Sequence, residues 1–196
     1  MPPSRPSRPA TTLRSVFARQ LERVRADPTA EAVTDVGTPR GWLVERRVCD
    51  LLEPFVTHLP RDDGDLARYA GLTGDVAAVL LDRLPAVELD DRQNDAPTLG
   101  CLLEAAAAHP AEVELHGYLV GPARTDERLT AEGLLVADAP RVDVLPDHGP
   151  GCECAQLWAH VQERLGVDDA VRMPDEIRPA RLRSRPEERA WSLWWD

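Results

Sequence analysis

The sequence predicts an α+β fold: a helical N-terminal two-thirds packed with a small antiparallel β-hairpin or meander at about residues 112–145, then a C-terminal helix and an aromatic arm. Three observations predict it. Apolar residues recur every three to four positions through much of residues 11–108, the spacing of one helix face. From Val113 the period drops to two, as in a half-buried strand. From Cys152 it returns to helical spacing, and the chain then ends in AWSLWWD, which holds three of its five tryptophans.

The elements follow in order. Residues 1–10 contain four prolines and no periodicity, so a disordered tail is expected, ahead of a single domain over 11–176 and an Arg- and Trp-rich arm over 177–196. Thr11 or Thr12 caps a helix that runs to about Ala26, with Leu13, Phe17, Leu21 and Val24 on one face. Asp27-Pro28 ends it, because a residue before proline avoids helical dihedrals. After a loose segment at 28–40, a second helix spans Trp42 to Leu59, with Val44, Val48, Leu51, Leu52, Phe55 and Leu59 in one stripe. Pro54 inside it costs about 3 kcal/mol unless the helix bends, so a kink is expected at Glu53–Pro54.

The stretch LARYAGLTGDVAAVLLDRL, residues 66–84, fits two helices crossing steeply. Leu66, Tyr69 and Ala70 share a face, Gly71 closes the first helix, and Thr73 caps the second. Ala67, Gly71, Ala77 and Leu80 fall where a helix-turn-helix places its small, turn and core residues. Leu99, Leu102, Leu103 and Ala106 define a further helix over about 98–108. Strands are expected at Val113–Val120 and Leu129–Ala137, joined by the charged loop GPARTDER, with a short third strand at Arg141–Leu145. Gly133 marks a bulge or a close backbone approach. Cys152–Leu165 reads as a helix with Cys154, Leu157, Trp158, Val161 and Leu165 inward, stopped by Gly166.

Composition removes whole classes of function. All 23 basic residues are Arg, with no Lys, one Asn and one Ile, the signature of a GC-rich, actinobacterial-type genome. Without Lys, Schiff-base chemistry and the P-loop are excluded. No apolar run approaches the roughly 18 residues of a membrane span, and Met1–Ala10 lacks the apolar stretch of a secretory signal. Four cysteines fit a reduced, cytoplasmic protein. Residues 1–47 carry nine Arg against five acids, residues 48–176 nine Arg against 26 acids, and residues 177–196 five Arg against three acids. A body this acidic repels nucleic-acid phosphates, and the would-be recognition helix over 74–84 offers only Arg83 as a base.

Three groups of residues carry candidate sites. His148, Cys152 and Cys154 in HGPGCEC have the donor types for zinc, with His160 or another cysteine as fourth ligand. Helical geometry instead places Cys154 on the packed stripe and turns His160 away from it. Carboxylates of the 124–128 loop and of Pro174-Asp175-Glu176, with His116 or His148, are the material for a metal-dependent enzyme. Trp191, Leu193, Trp194 and Trp195 are the candidate partner-binding residues, since tryptophan dominates contact hot spots. If the segment is extended, Trp191, Leu193 and Trp195 share one face. The sequence therefore favours a cytosolic, non-catalytic interaction or regulatory protein. It would act through its acidic surface and Trp-rich segment on a protein partner or a second copy, not on a membrane or nucleic acid. The alternatives are a DNA-binding regulator using residues 66–84 and a metal-dependent enzyme around His148 and Cys152.

Overall fold

The computed structural model describes residues 11–145 and 149–196. The tail expected at residues 1–10 lies outside the described residues. α1 (Leu13–Ala26) starts at a capping box in which Thr12 accepts the Ser15 N–H at 3.1 Å and donates its own N–H to the Ser15 hydroxyl at 3.0 Å. Asp27 leaves the helix in extended conformation ahead of Pro28.

The single helix expected over 42–59 is divided. α2 (Trp42–Glu45) and α3 (Val48–Leu52) are separated by Arg47 in left-handed conformation at φ 59°. A 3-10 turn at Glu53–Phe55 then takes Pro54 in its first positions, where no backbone N–H is needed, and the chain extends into β1 (Val56–His58).

Residues 66–72 carry the main correction. The first of the two expected crossing helices is a strand, β2 (Ala67–Leu72), and only the second, α4 (Gly74–Arg83), is helical. The helix-turn-helix reading of residues 66–84 is thereby overturned. Ala67 and Tyr69 are buried while Arg68 is exposed, a period of two, and pairing with the next strand satisfies the backbone. The buried Tyr69 hydroxyl donates to the Thr130 carbonyl at 3.1 Å. Gly71 does use a positive φ, 87°, but at an irregularity in the β2 ladder and not at a helix end.

α5 (Ala86–Leu89) precedes α6 (Leu99–Ala108), whose Thr98 cap accepts the Cys101 N–H at 3.2 Å. β3 (Val113–Val120) and β4 (Arg128–Ala137) form the expected hairpin, and α7 (Cys154–Leu165) ends at Gly166 with φ 70°. Residues 141–145 form no strand.

The small-hairpin architecture is the second correction. β5 (Glu176–Arg181) and β6 (Arg189–Trp194) join the hairpin from the C-terminal side, and β1 and β2 from the other. The result is an antiparallel six-stranded sheet in the order β1-β2-β3-β4-β6-β5, with seven α-helices among the described residues. Helices and strands interleave along the chain, so the helical part is not its first two-thirds. A lone hairpin is marginal in water, and its two open edges are satisfied here by β2 and β6. The sheet's own edges are blunted: β1 has three residues, and β5 carries Pro179 between arginines.

One face of the sheet, with Tyr69, Leu115, Leu134 and Leu193, merges with Phe17, Leu80, Leu102 and Trp158 into one core. The alternate residues Glu114, Leu135, Ser192 and Arg178 form a cross-strand row on the other face. The loop at 182–188 folds across this second face as a strap. Leu182 packs on Ala137 and Ala190. Glu114, 2% exposed, accepts the N–H groups of Arg183 at 2.7 Å and Ser184 at 2.9 Å, and the Ser184 hydroxyl at 2.5 Å. Glu114→Ala removes the acceptor of all three hydrogen bonds and is expected to cost about 2–4 kcal/mol in urea unfolding. The Arg183 and Ser184 amides should then exchange faster with deuterium. Unchanged exchange would show that Leu182 alone holds the strap.

Candidate functional site

The sequence A-W-S-L-W alternates large and small residues, and the ladder of β6 turns that alternation into two faces. Leu193 and Trp195 are buried in the core. Trp195 meets Trp158 edge-on, with ring centroids 5.6 Å apart and planes at 74°, and donates its indole N–H to the Arg172 carbonyl at 3.1 Å. Trp191 and Trp194 are half-buried. The four residues expected to bind a partner thus divide into two that build the core and two that keep accessible ring surface.

Trp191 is registered between Val136 on β4 and Pro179 on β5, and its indole N–H is bonded to the Pro140 carbonyl at 3.2 Å. It lines a groove of about 900 Å³ whose apolar part is Val136, Ala139, Val142, Pro179 and Ala190. The rim holds Arg141, Arg181 and Arg189 together with Asp138 and Glu188. Both rim acids are ion-paired, Glu188 with Arg185 at 2.5 Å and Asp138 at 3.2 Å with Arg164, which it shares with Glu112 at 2.7 Å. Arg181 donates to the Pro186 and Glu187 carbonyls, which leaves its charge unpaired. Arg141 and Arg189 are exposed and hold no hydrogen bond or ion pair among the described residues. The groove therefore combines a fixed aromatic wall with an unneutralised cationic rim in a strongly acidic chain. Its residues come from three separate stretches. Sequence reasoning found Trp191, whereas Val136 and Pro179 gave no signal beyond strand pattern and a proline.

The acidic character is concentrated at another hollow, lined by Asp90, Glu104, Asp168 and Asp169 beside α6. Asp169 accepts both the N–H and the hydroxyl of Thr98, the latter at 2.7 Å.

The thiol and carboxylate candidates are placed as follows. His148 lies outside the described residues. Cys154 is buried against the core, as its place on the helical stripe implies, and its neighbour Cys152 pushes its thiol pKa up. The Cys152 sulfur accepts the Leu145 N–H at 3.4 Å. Among the described residues, no three His, Cys, Asp or Glu are grouped to hold a metal ion. Asp126 is paired with Arg124 through two bonds of 2.8 and 2.7 Å, and Asp175 accepts the Asp196 N–H. Glu127, 1% exposed, accepts the backbone N–H groups of Gly41 at 2.6 Å and Leu43 at 3.1 Å at the start of α2. These carboxylates serve the backbone and their own neighbours, and His116 lies instead in a cleft on the strap side of the sheet.

Comparison with models of protein families, with curated proteins and with solved structures found no match to this chain.

Proposed function

We propose that this chain is a cytosolic, non-catalytic interaction protein that docks an acidic segment of a partner protein, anchored by an apolar side chain, in the Trp191 groove. The observation that carries the reading is the pairing of Trp191 and an apolar floor with Arg141 and Arg189, two exposed cations whose side chains no described residue pairs. Buried aromatic contact supplies affinity, and complementary charge supplies orientation and association rate. The chain's own acidic hollow offers the same complementarity, so a second copy is the natural alternative occupant. The four free thiols favour a reducing compartment. Among the described residues no helix is long and apolar enough to cross a membrane.

The test compares wild type with Trp191→Ala and Arg189→Glu by affinity capture and by light scattering after size exclusion, at low and high salt. The expected result is a defined partner, or a concentration-dependent oligomer, that both variants lose by tenfold or more while their melting temperatures stay within a few degrees of wild type. Salt should weaken the association, because the rim charges are exposed. Equal association by wild type and both variants would overturn the proposal.

A further inference from the structure

The strap at 182–188 does not cover the whole sheet face: a cleft of about 400 Å³ lies on it, lined from β1–β2 across to β5. The groups facing into it are Arg68, His116, Glu132, Arg178 and Ser192, with Glu114 at its strap end. His116 is housed by a deliberate gap: a Cβ on Gly133 would lie 2.7 Å from two of its ring atoms and 2.4 Å from the Leu193 carbonyl oxygen. The imidazole therefore rests directly on the sheet backbone, where only glycine leaves room for it.

The hydrogen-bonding capacity left over in the cleft is what identifies a ligand. Both acids are engaged: the three donors of the strap occupy Glu114, and Arg68 Nη1 lies 3.1 Å from one Glu132 oxygen and 3.4 Å from the other. Arg68 engages Glu132 through that one nitrogen alone, so the rest of its guanidinium has no partner among the described residues. The Arg178 side chain forms an ion pair with Glu176, Nε to Oε1 3.7 Å, and no side-chain hydrogen bond among the described residues. The Ser192 hydroxyl and the His116 ring have no hydrogen-bonding partner among the described residues. Beyond those two ion pairs, the capacity left among the described residues is the remaining N–H groups of Arg68 and Arg178, the Ser192 hydroxyl and the His116 imidazole, all lining one hollow. Guanidinium forks are shaped for planar or tetrahedral oxyanions, which accept two parallel N–H bonds.

We propose that this cleft binds a small-molecule anion, a carboxylate or a phosphate, gripped by Arg68 and Arg178 over the His116 imidazole. The site shares Pro179 and Ala180 of β5 with the Trp191 groove, but Trp191 does not line it. An anion held there offsets the two things that keep His116 neutral, its burial and the charge of Arg178, which together push it down to about 4. The charged groups around the ring are Arg178 and its ion-pair partner Glu176 on β5, Arg68 on β2, Glu132 on β4 and, farther along β3, Glu114. Of these, the arginines are the ones an anion neutralises.

The experiment follows the His116 ring signals by NMR, assigned with His116→Gln, while inorganic phosphate or succinate is added to the full protein. A saturable shift is expected with at least one probe, together with an upward move of the His116 titration midpoint in its presence. Arg178→Ala, on an exposed edge strand, should weaken that response tenfold or more. Response to phosphate alone assigns the ligand as a phosphate ester, and response to succinate alone as a carboxylic acid. Trp191→Ala should leave the response intact, so this proposal and the docking proposal fail separately. Ring signals that neither probe moves, or equal affinity in wild type, Arg68→Ala and Arg178→Ala, would overturn it.

Discussion

Replacing Trp195 by alanine is expected to lower the free energy of unfolding by about 3–5 kcal/mol, the range for deleting a large aromatic side chain from a packed core. Trp195 is 0% exposed, so the whole ring volume becomes a cavity unless the surroundings collapse. They are poorly able to collapse, because Trp158 of α7 and the β6 backbone are held on independent elements. The loss also leaves the Arg172 carbonyl without its indole donor. Trp191→Ala, by contrast, removes a half-buried ring at the groove and should cost less than half as much. Urea denaturation of the two variants separates the tryptophan that builds the protein from the one offered to a partner. Equal losses would mean that Trp191 also belongs to the core, and would undercut the docking proposal.

The second large effect is in the pH dependence of stability, where two buried groups oppose each other. Burial pushes the Glu127 carboxyl from 4.5 up to about 7, against the two N–H bonds from Gly41 and Leu43 that favour its charge. Its folded-state pKa is raised, so the native state binds the extra proton and stability falls as pH rises from about 4.5 to 7. For His116 the shift runs the other way, from 6.5 down to about 4. There the unfolded state binds the extra proton, and stability rises with pH from about 4 to 6.5. Each shift of this size is worth about 3 kcal/mol when fully developed. Between pH 4.5 and 6.5 the two slopes oppose each other, so the wild-type stability curve is expected to be shallower than that of either variant.

Each variant should expose the other group. Glu127→Gln, which keeps one acceptor for α2, should give stability that rises between pH 4 and 6.5. His116→Gln should give stability that falls between pH 4.5 and 7. Burial also raises the Glu88 carboxyl, which adds to the falling side. Denaturation curves at five or six pH values decide the matter, and parallel profiles for wild type and both variants would refute the assignment.

Much of the molecule was legible before folding was considered. α1, α6, α7 and the β3–β4 hairpin were expected close to their true bounds, because each is long enough for its period to be counted. Gly133 was marked as a close approach, and the structure shows what approaches it. Residues 66–72 failed for a definite reason. In L-A-R-Y-A-G-L, the set Leu66, Tyr69 and Ala70 satisfies helical spacing while Ala67 and Tyr69 satisfy strand spacing, and seven residues are too few to separate the periods. Gly71 did not break the tie, since a helix C-cap and a strand irregularity both call for positive φ. No strand is expected from the sequence at 176–181, which reads only as the start of the Arg- and Trp-rich arm, and Pro179 is tolerated there because β5 is an edge.

The sequence alone determined the local signals: the caps, the glycine stops, the long helices, the central hairpin, the uneven charge and the choice of α+β as a class. Only the tertiary structure decided that short ambiguous stretches from both ends of the chain complete a six-stranded sheet, and that Trp191, Val136 and Pro179, or Arg68, His116 and Arg178, come together. The reason is that local periodicity is written within a few residues. Strand pairing satisfies backbone groups far apart in the chain, and both candidate sites are made from those pairings.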